Sequence, residues 1–121
     1  MANRVRELTN RNRGRSMRQL VDDLRAYLRG WKTYFRLAQS RWILEKVDKW
    51  IRRRVRLAQL RQWRRAPKLY RELRARGATE REARGVAANA GRWWAMSHHI
   101  GLEKALPNHK LISAGILQLA V

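Results

Sequence analysis

From Met17 to Ala38 the apolar residues return every three or four positions, and this periodicity leaves the segment little choice but a long amphipathic helix. At about 100° per residue, Met17, Leu20, Val21, Leu24, Tyr27, Leu28, Trp31, Phe35 and Ala38 fall on one side. Arg18, Arg25, Arg29, Lys32 and Arg36 fall together on another. One face is suited to a core, with Trp31 inside it, and the other to a polyanion. Ser16 with Gln19 three positions on forms a capping box that opens the helix. Gly30 lies within the helix but off the apolar face, at a cost of about 1 kcal/mol relative to Ala. Its presence predicts close approach of another backbone or of a ligand.

Ser40 is expected to cap a second long helix over roughly residues 41–63. Leu44, Val47, Ile51, Val55 and Ala58 form its apolar stripe, and Lys49, Arg52, Arg53 and Arg56 cluster opposite. Arg54 points nearer the apolar stripe than its neighbours do. Ala66-Pro67 ends this helix, and Pro67 suits the first turn of the next, which carries Leu69, Tyr70 and Leu73 and stops at Gly77. Thr79 and Glu82 make another capping box, opening a short helix to about Asn89. An aromatic elbow follows at residues 92–97, then helical pieces around Pro107 and a stop at Gly115. No segment alternates with period two. The fold class predicted is all-α, a small helical bundle with two long amphipathic helices followed by shorter ones. Residues 1–15, with Arg4, Arg6, Arg11, Arg13 and Arg15, are assigned as a basic N-terminal arm with a short helical start, and residues 16–121 as a single helical domain.

Charge narrows the function. The 121 residues hold 29 Lys plus Arg against 9 Asp plus Glu, a formal net charge of +20, and 23 of the cations are Arg. Such self-repulsion does nothing for a fold, so a polyanionic partner is implied, nucleic acid first and an anionic membrane second. The excess is +7 over residues 1–39, +11 over 40–76 and +2 over 77–121. The polyanion should therefore meet the two long helices and the Arg64-Arg65 pair just after them. A solvated helix face usually mixes signs, whereas these stripes are nearly single-signed. The chain has no Cys, no apolar stretch approaching the ~20 residues that span a bilayer, and no apolar leader at its start, so the cytoplasm is the default location.

Several residues imitate catalytic chemistry. Asp22-Asp23 after Leu20-Val21 looks like the paired metal-binding aspartates of a polymerase, but such a dyad belongs on a β-hairpin and here it sits mid-helix. His98 and His99 diverge as adjacent helical residues, and neither they nor His109 have Cys or carboxylates to complete a metal set, so capping or surface roles are assigned. Ser16, Ser40, Ser97 and Ser113 lack a neighbouring base, and no phosphate-binding Gly loop is present. No catalytic residue, metal or cofactor is expected. Of the six Trp, Trp50 should flank its stripe half-buried; Trp63, Trp93 and Trp94 are assigned to packing, with stacking on an unpaired base as the alternative.

The motifs also stand in a familiar order. Leu28-Arg29-Gly30-Trp31-Lys32-Thr33-Tyr34-Phe35 resembles the Leu-Arg-Gly-Trp-x-Asn-Tyr-Phe motif of group II intron-encoded reverse transcriptases, with Thr33 in place of Asn. Residues 6–14 with Ser16 resemble the start of that family's thumb, and residues 44–54, containing Asp48-Lys49-Trp50-Ile51, its next helix. Trp63-Arg64-Arg65-Ala66-Pro67-Lys68 resembles a Trp-Lys-x-Pro segment, and residues 70–77, 88–92, 94–97 and 106–108 complete the thumb and maturase region in order. The resemblance implies an RNA-binding domain that stabilises structured intron RNA to assist splicing and, with polymerase domains, grips the template–primer duplex. It places RNA contact on the Leu28–Phe35 helix and the Arg52–Arg56 face. The chemistry would belong to the RNA. Fingers, palm and any His-Asn-His nuclease domain are absent from this sequence, so polymerisation by this chain alone is not expected. Two further readings remain open: a docking subunit of a split reverse transcriptase, in which protein–protein contact at Tyr34, Leu37 and the Trp93-Trp94 elbow is primary, and, less favoured, membrane binding by the amphipathic helices.

Overall fold

Ser16 opens the first long helix as its spacing predicts: its Oγ accepts from the Gln19 N–H at 3.1 Å, while Gln19 Oε1 accepts from the Ser16 N–H at 3.0 Å. The resulting helix α2 (Met17–Ala38) is preceded by α1 (Ala2–Asn10) and followed by α3 (Arg41–Trp63). Shorter helices follow among the described residues: α4 (Ala66–Ala75), α5 (Glu80–Ala88), α6 (Trp93–Met96), α7 (Ile100–Ala105) and α8 (Asn108–Ala114). The computed structural model describes residues 2–10 and 16–120. Among them there is no strand, and the fold is an all-α bundle.

Helix α3 is the spine, because its two ends serve two different cores. Its Leu44, Ile51, Val55 and Ala58 pack with Leu20, Val21, Leu24 and Leu28 of α2, Val5 and Leu8 of α1, and Leu111, Ile116 and Leu119 near the C-terminus. Its Leu60 and Trp63 join Leu69 and Leu73 of α4, Ala83 and Val86 of α5, and Leu102 and Ala105 of α7. Residues 2–10 of the expected arm are thus a helix seated in the first core; residues 11–15 lie outside the described residues. Arg54 explains how a polar helix is held there. It is 8% exposed, donating from Nε to Thr9 Oγ1 (3.0 Å) and from Nη2 to Asn10 Oδ1 (2.5 Å).

The shorter helices are closed by local chemistry. Thr79 and Glu82 form the predicted capping box of α5 (Glu82 N–H to Thr79 Oγ1 3.2 Å, Thr79 N–H to Glu82 Oε1 2.8 Å). His99 caps α7, its Nδ1 accepting from the Gly101 N–H at 3.0 Å. Gly101 also lets α7 press on α5, since a Cβ there would lie 3.1 Å from Glu82 Cβ. Asp48, buried on α3, accepts from the N–H groups of Leu119 (2.8 Å) and Ala120 (3.0 Å) and so ties the C-terminal segment down.

Three expectations are corrected. Trp31 is 44% exposed rather than core: α2 contributes no buried residue after Leu28, and α3 none before Leu44, so the helical hairpin runs on past the core it serves. Ser40 has the extended backbone of an N-cap, but its side chain makes no cap hydrogen bond. Gly30 meets no protein atom within 4 Å of where a Cβ would stand, so no backbone approaches it.

Candidate nucleic-acid interface

Two cationic surfaces of different character emerge. The first is the outer face of α2. Arg18, Arg25, Arg29 and Arg36 are exposed and Lys32 is half-buried. Their spacing puts them along one stripe, with exposed Asp22 between Arg18 and Arg25, so the stretch of one sign runs from Arg25 to Arg36. Asp22 and Asp23 both stand exposed in the second turn of α2, and no β-hairpin is present among the described residues.

The second surface is concave. Lys49, Arg52, Arg53 and Arg56 of α3 line a cleft of about 350 Å³ with Ser97 and His98, which follow α6. Lys49 is exposed and Arg52 half-exposed, whereas Arg56 is only 7% exposed. Arg53 donates from Nε to the Oγ of fully buried Ser97 (2.8 Å) and from Nη2 to the Trp94 carbonyl oxygen (2.8 Å). Arg56 donates from Nε to the Leu106 carbonyl oxygen (2.9 Å) and from Nη2 to Asn108 Oδ1 (2.8 Å). Burial lowers the pKa of both guanidinium groups; for Arg56 the Glu103 carboxylate opposes this and neighbouring Arg52 adds to it. The four cations expected on one open face therefore divide into two solvent-facing groups and two that also bind their own fold.

Arg64 and Arg65 are exposed at the corner between α3 and α4. Arg64 has φ 64° and ψ −61°, and the Arg65 N–H reaches back to the Trp63 carbonyl oxygen at 2.7 Å. This is a γ-turn of the strained hand. It turns the chain within two residues and leaves both cations outside.

Between α2 and α3 lies a third, apolar surface. Trp31, Tyr34, Leu37 and Trp42 are 44%, 59%, 85% and 58% exposed. Trp31 stacks on Phe35 at 5.8 Å between ring centroids and meets Tyr34 edge-on at 5.7 Å. Lys46 Nζ lies 4.7 Å from the centroid of the Trp42 ring.

Ser97, His98 and Asn108 were not legible as parts of a site, since nothing in their spacing shows that the chain folds back to α3 beside Arg53 and Arg56. Trp63 is buried and Trp93 partly so, while Trp94 is 43% exposed beneath Arg53.

The family model for the group II intron maturase-specific domain matches residues 1–77, which include α1 to α4, the α2 stripe and the cationic part of α3. No curated protein matches the chain. The matched segment takes in well over half of the 121 residues, and the chain belongs to the group II intron maturase-specific domain family.

Proposed function

We propose that this chain binds folded group II intron RNA through phosphate contacts and shape, holding the intron in the form that splices, while the RNA itself performs the transesterification. The family supports a maturase role in intron splicing. The observation that carries RNA contact is the run of exposed Arg25, Arg29 and Arg36 with half-buried Lys32, on a helix anchored in the core by Leu20, Val21, Leu24 and Leu28. Arg is suited to this task because its planar fork makes paired hydrogen bonds to phosphate oxygens.

The test is fluorescence anisotropy with a folded intron domain, length-matched duplex DNA and unstructured RNA over a salt series. Six to ten phosphate contacts predict a loss of about 10³–10⁵ in affinity between 50 and 200 mM salt. A preference for the folded intron that persists at the upper end supports recognition of shape; equal binding to all three, collapsing together, refutes it. Reversing Arg25, Arg29 and Arg36 to Glu should abolish binding with helicity intact. Arg56 is unsuited to this purpose, because its reversal would bury a carboxylate beside two oxygen acceptors.

The exposed Trp31, Tyr34, Leu37 and Trp42 favour a second reading, in which the hairpin docks on separate reverse transcriptase domains. Concentration-dependent self-association of the isolated chain, removed by polar substitution at Leu37 and Trp42, would support it. A monomer at all concentrations that binds RNA with full affinity would favour the first.

A further inference from the structure

Resting on the RNA-binding reading, we propose that the cleft between α3 and the chain around α6 to α8 is a built site for one backbone phosphate of the RNA. The cleft brings Lys49, Arg52, Arg53 and Arg56 against one carboxylate, Glu103. Neither Arg53 nor Arg56 has a carboxylate within ion-pair distance among the described residues. Burying a guanidinium is costly unless its charge is matched. The fold supplies neutral acceptors, Ser97, Asn108 and two carbonyl oxygens, that orient the two groups without neutralising them. An anion in the cleft provides the missing counter-charge.

The donors also fit phosphate in particular. A guanidinium carries five N–H groups. Both arginines bind the protein through Nε and Nη2, and among the described residues their Nη1 groups have no acceptor. Two forks fixed from different neighbours suit a tetrahedral group whose oxygens lie in more than one plane. Their side-chain freedom is already lost, and the partly desolvated setting strengthens each charge-assisted bond. Lys49 and Arg52 at the mouth draw the anion in. The outer α2 stripe has no such enclosure and would make ordinary solvated phosphate contacts.

The experiment is a titration of the whole chain with inorganic phosphate at constant ionic strength, read by NMR at Ser97, His98, Asn108 and the Trp94 indole, with anisotropy on intron RNA in parallel. The expected result is a saturable shift confined to the cleft. In Lys49→Gln/Arg52→Gln both phosphate and RNA affinity should fall at least about tenfold, because charge-assisted bonds are lost. Thermal stability should hold, since among the described residues neither side chain makes a hydrogen bond or ion pair to the fold and Arg52 repels Arg56. Arg25→Gln/Arg29→Gln should weaken RNA while leaving the phosphate titration as it was. Shifts spread equally over α2, an unsaturated titration (an adventitious ion only), or a cleft variant with unchanged RNA affinity would each overturn the site. If RNA still binds in those cases, the broader reading stands without the cleft; if RNA does not bind at all, both fall.

Discussion

Arg53 lies over Trp94, its guanidinium carbon 3.6 Å from the centroid of the ring, while its Nη2 donates to the carbonyl oxygen of the same residue at 2.8 Å. The contact joins α3 to a helix of four residues, too short to persist by itself. Ser97 completes the joint by accepting from Arg53 Nε and donating to the Trp94 carbonyl oxygen. Arg53→Lys keeps the charge but loses the fork, leaving fully buried Ser97 without its donor, at a cost of about 1–3 kcal/mol. Trp94→Ala removes the ring and should cost about 1–2 kcal/mol. Urea unfolding measures both, and an Arg53→Lys chain as stable as the parent would show that the joint is dispensable.

Leu28 and Trp31 share one helix stripe but not one environment. Leu28 is fully buried between α2 and α3, whereas Trp31 is 44% exposed. Leu28→Ala should cost about 2–5 kcal/mol through lost burial and a residual cavity. Trp31→Ala should cost less, about 1–2 kcal/mol, despite removing the larger side chain, because nearly half of the residue faces water already and what is lost is its contact with Tyr34 and Phe35. Equal losses in a thermal or urea series would return Trp31 to the core.

These contrasts mark how far the sequence could be read. The limits of α2, α3 and α5 were legible because Ser16–Gln19, Ala66-Pro67 and Thr79–Glu82 act within one turn of themselves. Buried Leu44, Ile51, Val55 and Ala58 of α3 followed from period alone, as did the inward turn of Arg54, whereas buried Leu57 and Leu60 lay outside the expected stripe and Val47 within it is only half-buried. Periodicity says which side of a helix is apolar, though, and not where its neighbours stop. That is why Trp31 was misplaced while Leu28 was not. The cleft was half legible: Lys49, Arg52, Arg53 and Arg56 share a face by spacing. Their division into solvent-facing groups and groups that also bind the fold depends on Ser97 and Asn108, which arrive from 44 and 52 residues away in sequence. Asp48 was hidden for the same reason, its partners Leu119 and Ala120 lying at the far end of the chain.

Arg64 holds φ 64° as a non-glycine residue, and the γ-turn at this corner stores strain. Such conformations cost about 1–3 kcal/mol, whereas glycine adopts positive φ freely and gives back up to about 1 kcal/mol in chain entropy. Arg64→Gly should therefore leave stability unchanged or raise it by up to about 2 kcal/mol. If Arg64 contacts phosphate, the same variant should bind RNA more weakly and with a shallower salt dependence. Calorimetry and the anisotropy series separate the two effects. A clear loss of stability would mean that the arginine side chain, rather than its backbone, decides this corner.

Glu82 ties α5 to α7 through Lys104, with Oε2 2.9 Å from Lys104 Nζ, while its Oε1 accepts from the Thr79 N–H at 2.8 Å. The hydrogen bond from Lys104, followed by that from the Thr79 backbone, lowers the carboxyl pKa from 4.5 to about 2. A group whose pKa is depressed on folding binds its proton more readily in the unfolded chain. Its contribution to stability is therefore complete above 4.5 and is lost as the pH falls towards about 2. Glu82→Gln retains an oxygen for the Thr79 N–H but removes the charge that faces Lys104. The variant should be less stable than the parent at neutral pH, and the gap should close on acidification across that interval. Thermal unfolding of both chains from pH 7 to pH 2 is the measurement. A difference that stays constant with pH would place the role of Glu82 in packing against Gly101 rather than in its charge.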